Sequence, residues 1–220
     1  GYDVPRLLVG SRGTLGIITG AFLLLRSEPA EDLTLLLPAS GPAEAARHSL
    51  AVRSTDLAEA VEVLAPALAE ACSVGGGWMV AVRVRGFGAG VAAARRRLEE
   101  VTGRHGDTAP TDLWGRLCAL EASSRAGYRL AGPPAALGAT LDVATRLAGA
   151  AAGWMLAGHG ADGIVRLWCA DSAVSHDPDE AALLASAQMA EMGGTLQTSD
   201  APPPPAAGPV AAIAGRVRHA

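Results

Sequence analysis

Lysine and asparagine are missing from all 220 residues, and alanine, glycine, arginine and proline stand in their place, a coding bias and not a chemical device. Only three cysteines occur, Cys72, Cys118 and Cys169, far apart and without a C-x-x-C pair. That excludes a disulfide framework and a cysteine-held zinc or iron–sulfur centre; the expectation is small buried apolar side chains in a reducing cytoplasm. No apolar run reaches the length of a membrane span, and no charged segment leads into an apolar one as in a secretory leader. Positive charge is thin. The net charge is -4, and the one basic cluster, Arg95-Arg96-Arg97, sits beside Glu99 and Glu100, the pattern of a solvated helix face. A basic face able to neutralise phosphates is lacking, which excludes nucleic acid as a partner. No methionine stands at Gly1, so the expectation is a chain that begins inside a larger protein.

What is present is apolar: 50% of the residues are hydrophobic, enough for a packed core. Asp3 and Pro5 predict a short helix to about residue 10. A glycine loop over 11–16 then leads into "IITGAFLLLR", a strand over 17–26. "SEPAED" (27–32) reads as a boundary. A strand over 33–37 follows, then helical segments over 42–71, with Leu57, Val61, Leu64 and Leu68 at helical spacing. Alternation in "GGGWMVAVRVRG" predicts a strand within 75–86, with Arg83 and Arg85 on one face. Helices are expected over 88–103 and, capped by Asp112, over 112–123.

The second half repeats the plan: a strand over 125–130, a helix over 133–150, and strands over 154–157 and 164–170 joined by "GHGADG". A helix over 177–192 stopped by Gly193-Gly194 and a strand over 195–199 complete it. Two βαβ-like halves with an antiparallel return predict an α+β fold of the ferredoxin-like kind, its helices on one face of a sheet. "APPPPAAGP" cannot continue a helix or a central strand, and reads as a linker before a last helical stretch.

The opening stretch, "GYDVPRLLVGSRGTLGIIT", carries the most specific pattern. It is not a phosphate-binding P-loop, since no Gly-Lys-Ser/Thr ends it, and a strand follows it where a dinucleotide fingerprint needs a helix. On the residues alone it is either a glycine-rich helix-to-strand corner or a loop whose Gly10, Gly13 and Gly16 take positive φ and let a ligand reach the backbone. The run over 1–26 resembles the closing segment of the FAD-binding domain in the FAD-linked oxidases of the vanillyl-alcohol oxidase / p-cresol methylhydroxylase (PCMH-type) superfamily. The pattern there is a GYDL-x-x-L-hydrophobic-x-GSEGTLGIIT run; Arg12 departs from it, where many members carry an acid.

That resemblance implies a PCMH-type FAD-binding end over 1–31 and a ferredoxin-like α+β cap domain over 32–220. It implies FAD as cofactor, contacted by Arg12, Gly13, Thr14, Leu15, Gly16, Ile17 and Ile18, with most phosphate contacts lying upstream of Gly1. "LWGRL" and "GIVRLW" make the remainder most similar to the FAD-binding subunit of bacterial glycolate oxidase. A cytoplasmic companion subunit acting with other subunits on a small 2-hydroxy acid is then expected. A non-catalytic interaction module and a lactate-type 2-hydroxy acid dehydrogenase are the alternatives.

No base and no nucleophile stands out, and no G-x-S-x-G occurs. "GHGADGIVRLW" resembles the cap hairpin of lactate-type members, whose two histidines help hold a divalent metal. His159 falls on the first position, but Arg166 stands on the second. A single histidine does not hold a metal, so a D-G hairpin turn without metal is expected. Arg166 remains suited to a carboxylate through its forked guanidinium. Arg83 and Arg85 suit an anion, a partner or an exposed sheet face. Trp78, Trp114, Trp154 and Trp168 read as core or interface fillers, and His48, His105, His176 and His219 have no ligand spacing.

Overall fold

The computed structural model describes residues 3–9, 11, 14–25, 27–123, 126–149, 153–169 and 180–199. The linker and last helical stretch expected over 201–220 lie outside them, as do His176 and His219.

Helix α1 (Val4–Leu8) is capped as its sequence predicts: the Arg6 amide donates to Asp3 Oδ1 at 3.3 Å, and Pro5 sits in the first turn. The strand expected over 17–26 does not form. Residues 16–25 join no helix or sheet among the described residues, and Ile17, Phe22, Leu23, Leu24 and Leu25 are exposed. An apolar, β-branched run has strand propensity, but a strand needs a neighbour for its amides and carbonyls, and no described strand pairs with this one.

From Glu31 onward the chain builds one unit twice. The first comprises β1 (Glu31–Ala39), α2 (Pro42–Arg53), β2 (Ala60–Leu64), α3 (Pro66–Ala71), β3 (Trp78–Gly86), α4 (Ala89–Thr102) and β4 (Asp107–Thr108). The linking helix α5 (Leu113–Ala122) leads to β5 (Ala126–Ala131), α6 (Leu137–Ala148), β6 (Trp154–His159), β7 (Ile164–Cys169), α7 (Glu180–Glu191) and β8 (Thr195–Ser199). The eight strands form one antiparallel sheet in the order β4-β1-β3-β2-β6-β7-β5-β8. Each half is therefore a βαββαβ ferredoxin-like unit, and the two halves meet where β2 pairs with β6. The expected α+β architecture is what the chain adopts.

Helical spacing misled at 57–71. "AVEVL" is strand β2 and only Pro66–Ala71 is helical after it, while Leu57 lies in neither element. A central strand buried on both faces shows no alternation, and four apolar residues three or four apart mimic a helix. The helices also divide between the two faces. Helices α2, α4, α6 and α7 pack on Leu35, Val63, Val82, Leu130, Leu156 and Leu167. Helices α3 and α5 pack on the opposite face against Leu36, Leu64, Ala81, Ala157 and Trp168. Asp112 takes the cap position of α5, but its carboxylate accepts from Arg116 Nε at 2.8 Å in place of an amide of the first turn.

One buried group makes this core sensitive to pH. His48 on α2 is buried, with Nε2 3.5 Å from Glu44 Oε1. Burial holds the imidazole pKa below its ordinary value, against the pull of Glu44. Glu44 is itself held well below the carboxylate range by Arg104 and by the Ser40 hydroxyl and amide. A depressed histidine favours the neutral folded state. Its contribution is complete above the unfolded pKa, about 6.5, and is lost as pH falls through the folded value. Melting temperature should therefore drop more steeply as pH falls below the ordinary imidazole value in the native protein than in His48→Gln; parallel Tm–pH curves would exclude His48 as the cause.

Candidate functional site

The sheet face carrying α3 and α5 holds a polar cluster. Period-two alternation sends Glu62 to this face from β2, His159 from β6 and Arg166 from β7. Glu62 and His159 are direct cross-strand partners at the seam of the two units, and Ala157 pairs with Arg166 one row away. The imidazole Nδ1 lies 3.0 Å from Glu62 Oε2, and the Arg166 guanidinium bonds both His159 Nε2 and the Glu121 carboxylate on α5. Arg166 is also 3.9 Å from Glu62 Oε1. Glu62 is 6% exposed, which makes it a buried acid whose compensation is this pair of neighbours.

These groups open on a cavity of about 150 Å³ whose remaining wall is apolar, with Trp114, Leu117, Cys118, Ala157 and Trp168. Trp114 Nε1 donates to Thr34 Oγ1 at 2.8 Å, fixing one indole. Arg166 Nε and Trp168 Nε1 are buried without a hydrogen-bond partner among the described residues.

The expected hairpin is present: β6 turns into β7 through residues 160–163, with the Asp162 and Gly163 amides donating to the His159 carbonyl at 3.3 and 3.2 Å. It brings His159 and Arg166 into contact, which the sequence pattern proposed only as neighbouring positions. The guanidinium occupies the side of Nε2 where a metal would bind, and no group of three or more His, Cys, Asp or Glu among the described residues is arranged to hold an ion. Glu62 and Glu121 were not anticipated. The available signal for Glu62 was a single acid inside the apolar "AVEVL".

Arg83 and Arg85 do share one face, but both are engaged. Arg83 Nε donates to Asp32 Oδ1 at 2.9 Å, and Arg85 pairs with Glu59. The hydrogen bonds from these guanidiniums hold both carboxyls below their usual range. This pair of arginines is thus part of an ion-pair ladder on the sheet. Of the cysteines, Cys72 and Cys169 are buried as expected, while Cys118 is exposed at the cavity rim, since it lies on the outer side of α5.

Of the residues expected to touch a cofactor, Arg12 and Gly13 lie outside the described residues, as does Gly10. Thr14 closes a turn on Ser11, its amide at 3.0 Å and its hydroxyl at 2.7 Å from the Ser11 carbonyl. Leu15, Gly16, Ile17 and Ile18 follow, all exposed and outside any helix or strand. Gly16 does not take positive φ, and an added Cβ would meet only Leu8 Cδ2 at 3.4 Å, an ordinary contact. The strain expected of a side chain at Gly16 is therefore absent; its backbone is simply uncovered.

No family model matches the sequence, and no curated protein is significantly similar to it. Among solved structures, alkyldihydroxyacetonephosphate synthase in two crystal forms is similar in fold. Each has a TM-score of 0.59 and 14% identity, over 89% of this chain and 45% of the solved one. The chain thus spans less than half the length of the protein it matches. No helix among the described residues is long and apolar enough to cross a membrane. The antiparallel α+β fold is shared with that synthase, and the likeness is one of fold; it gives no support to a glycolate oxidase subunit in particular.

Proposed function

We propose that this chain is part of an FAD-dependent oxidoreductase that oxidises a small 2-hydroxy acid such as glycolate, as the FAD-binding companion subunit of a cytoplasmic glycolate oxidase-like complex. In this reading residues 1–31 close the FAD-binding domain and 32–220 form the cap. The observation that carries it is Arg166, which already holds a carboxylate beside a histidine at a small cavity, in a fold shared with alkyldihydroxyacetonephosphate synthase. The opening segment fits a cofactor in one respect: Thr14 to Ile18 are exposed and outside any helix or strand, the kind of surface that receives a planar or anionic group. Those residues, with Arg12 and Gly13, would hold FAD, which when bound accepts a hydride from the alpha carbon.

The chain's own residues divide the remaining work. Arg166 binds the substrate carboxylate and so orients the adjacent hydroxyl. Glu62 engages His159 Nδ1 while Arg166 engages Nε2, so the imidazole serves to position the guanidinium between the two units. Trp114 and Trp168 exclude water from one side of the cavity. A second reading, an interaction module, draws on the exposed apolar run Ile17, Phe22, Leu23, Leu24 and Leu25.

Full-length polypeptide containing these residues is expected to copurify with one yellow flavin per chain, whereas the 220-residue chain is expected not to retain it. A few backbone donors do not offset the cost of association. Colourless full-length protein that takes up no added FAD would remove the oxidoreductase reading.

A further inference from the structure

We infer that the Glu121 carboxylate is an internal occupant of the Arg166 site, displaced when a small monocarboxylate ligand binds. The inference deepens the proposed function and rests on its reading of Arg166 as the carboxylate anchor.

The two acids beside Arg166 are held very differently. Glu62 has a side chain 8% exposed, is locked to His159 Nδ1 at 3.0 Å, and lies on the central seam of the sheet. Glu121 is 38% exposed and belongs to the last turn of α5, one residue before its end. A flexible side chain at that position swings into water without any movement of the backbone. One flanking acid is therefore fixed and the other releasable.

The charges lead to the same point. With Glu121 in place, one guanidinium faces two carboxylates, and a further anion entering the cavity is repelled. Once Glu121 has swung out, a ligand carboxylate takes its position at unchanged local charge. The guanidinium also retains donor capacity, because Nε is buried without an acceptor among the described residues. The cavity of about 150 Å³ and its apolar wall limit the remainder of the ligand to a few heavy atoms of low charge. A dicarboxylate would bring its second charge against Trp168 and Leu117, where nothing cationic meets it.

Glu121→Gln keeps the shape of the side chain and removes its charge, and its exposed position makes misfolding an unimportant outcome. The probe is glycolate titrated calorimetrically into the 220-residue chain, with uncharged glycolamide as the matched control. Glycolate should bind Glu121→Gln about fivefold more tightly than the native chain, the equivalent of one partly exposed ion pair removed from competition. Glycolamide should bind both equally, and Arg166→Lys, which keeps the charge and loses the fork, should abolish the gain. Glycolate binding that is unchanged, weakened or absent in Glu121→Gln overturns the inference, and so does an equal gain for glycolamide. Flavin plays no part in this titration. A colourless full-length protein would remove the oxidoreductase reading, while the titration alone decides whether Glu121 occupies the site.

Discussion

Gly163→Ala is expected to destabilise the chain by roughly 3 kcal/mol or more, because an added Cβ there meets backbone more closely than at any other described glycine. Gly163 ends the β6–β7 turn with φ +69°, in the left-handed region. A Cβ there would stand 2.3 Å from the Gly132 carbonyl oxygen, 2.9 Å from Pro134 N and 3.0 Å from the Pro133 carbonyl carbon. Those neighbours are backbone, two of them prolines of fixed φ, and the Gly132 amide is bound to the Gly163 carbonyl at 3.1 Å. No flexible side chain is available to give way.

Gly103→Ala provides the matched control. Gly103 has φ +63° at the end of α4, but nothing lies within 4 Å of its added Cβ. That substitution should cost only the left-handed strain, about 1 kcal/mol. For a chain of this size the two should separate by several degrees in Tm, with Gly163→Ala lower by roughly 10 °C than the native protein. Equal losses in urea denaturation would show that the Gly132–Pro134 backbone yields, and that the turn is held by conformation alone. The same hairpin carries His159 and Arg166, so a shifted turn also moves the site.

The history of these residues in the sequence is uneven. "DG" between two apolar runs was a sufficient signal for the hairpin, and the glycines around α4 marked both its ends. Strand β3 was legible from Val80, Val82 and Val84 alternating with Ala81, Arg83 and Arg85. Strand β2 was not, because burial on both faces removes the alternation that identifies a strand. Two-residue β4 offered too little pattern to detect. The run over 17–26 shows the converse limit: its propensity was readable, but pairing is a property of the partner, and no described strand pairs with it. The site suffered in the same way. His159 and Arg166 lie in one hairpin and were found together, whereas Glu62 and Glu121 reach them from 97 and 45 residues away in sequence, and only the seam between β2 and β6 brings the first of them in.

That seam should make the two units unfold as one. Leu141 on α6 is fully buried, and a Cβ on Gly158 would already lie 3.1 Å from its Cδ2, so the side chain is tightly enclosed. The cluster to which it belongs takes Ala45, Ala46 and Val63 from the first unit and Leu137, Ala144 and Leu156 from the second, without a gap at the boundary. Leu141→Ala should lower stability by about 3 kcal/mol through lost burial and the cavity left behind. Leu98→Ala, equally buried in the first unit, should cost a similar amount. The informative measurement is the shape of the transition. A continuous core predicts that both variants melt in a single calorimetric step, with calorimetric and van't Hoff enthalpies in agreement. If Leu141→Ala instead splits the transition, with one part retaining the native Tm, then β2–β6 pairing joins two independently folding units. The Glu62–His159 contact would then open before the first unit unfolds, and the site would be lost at the lower of the two temperatures.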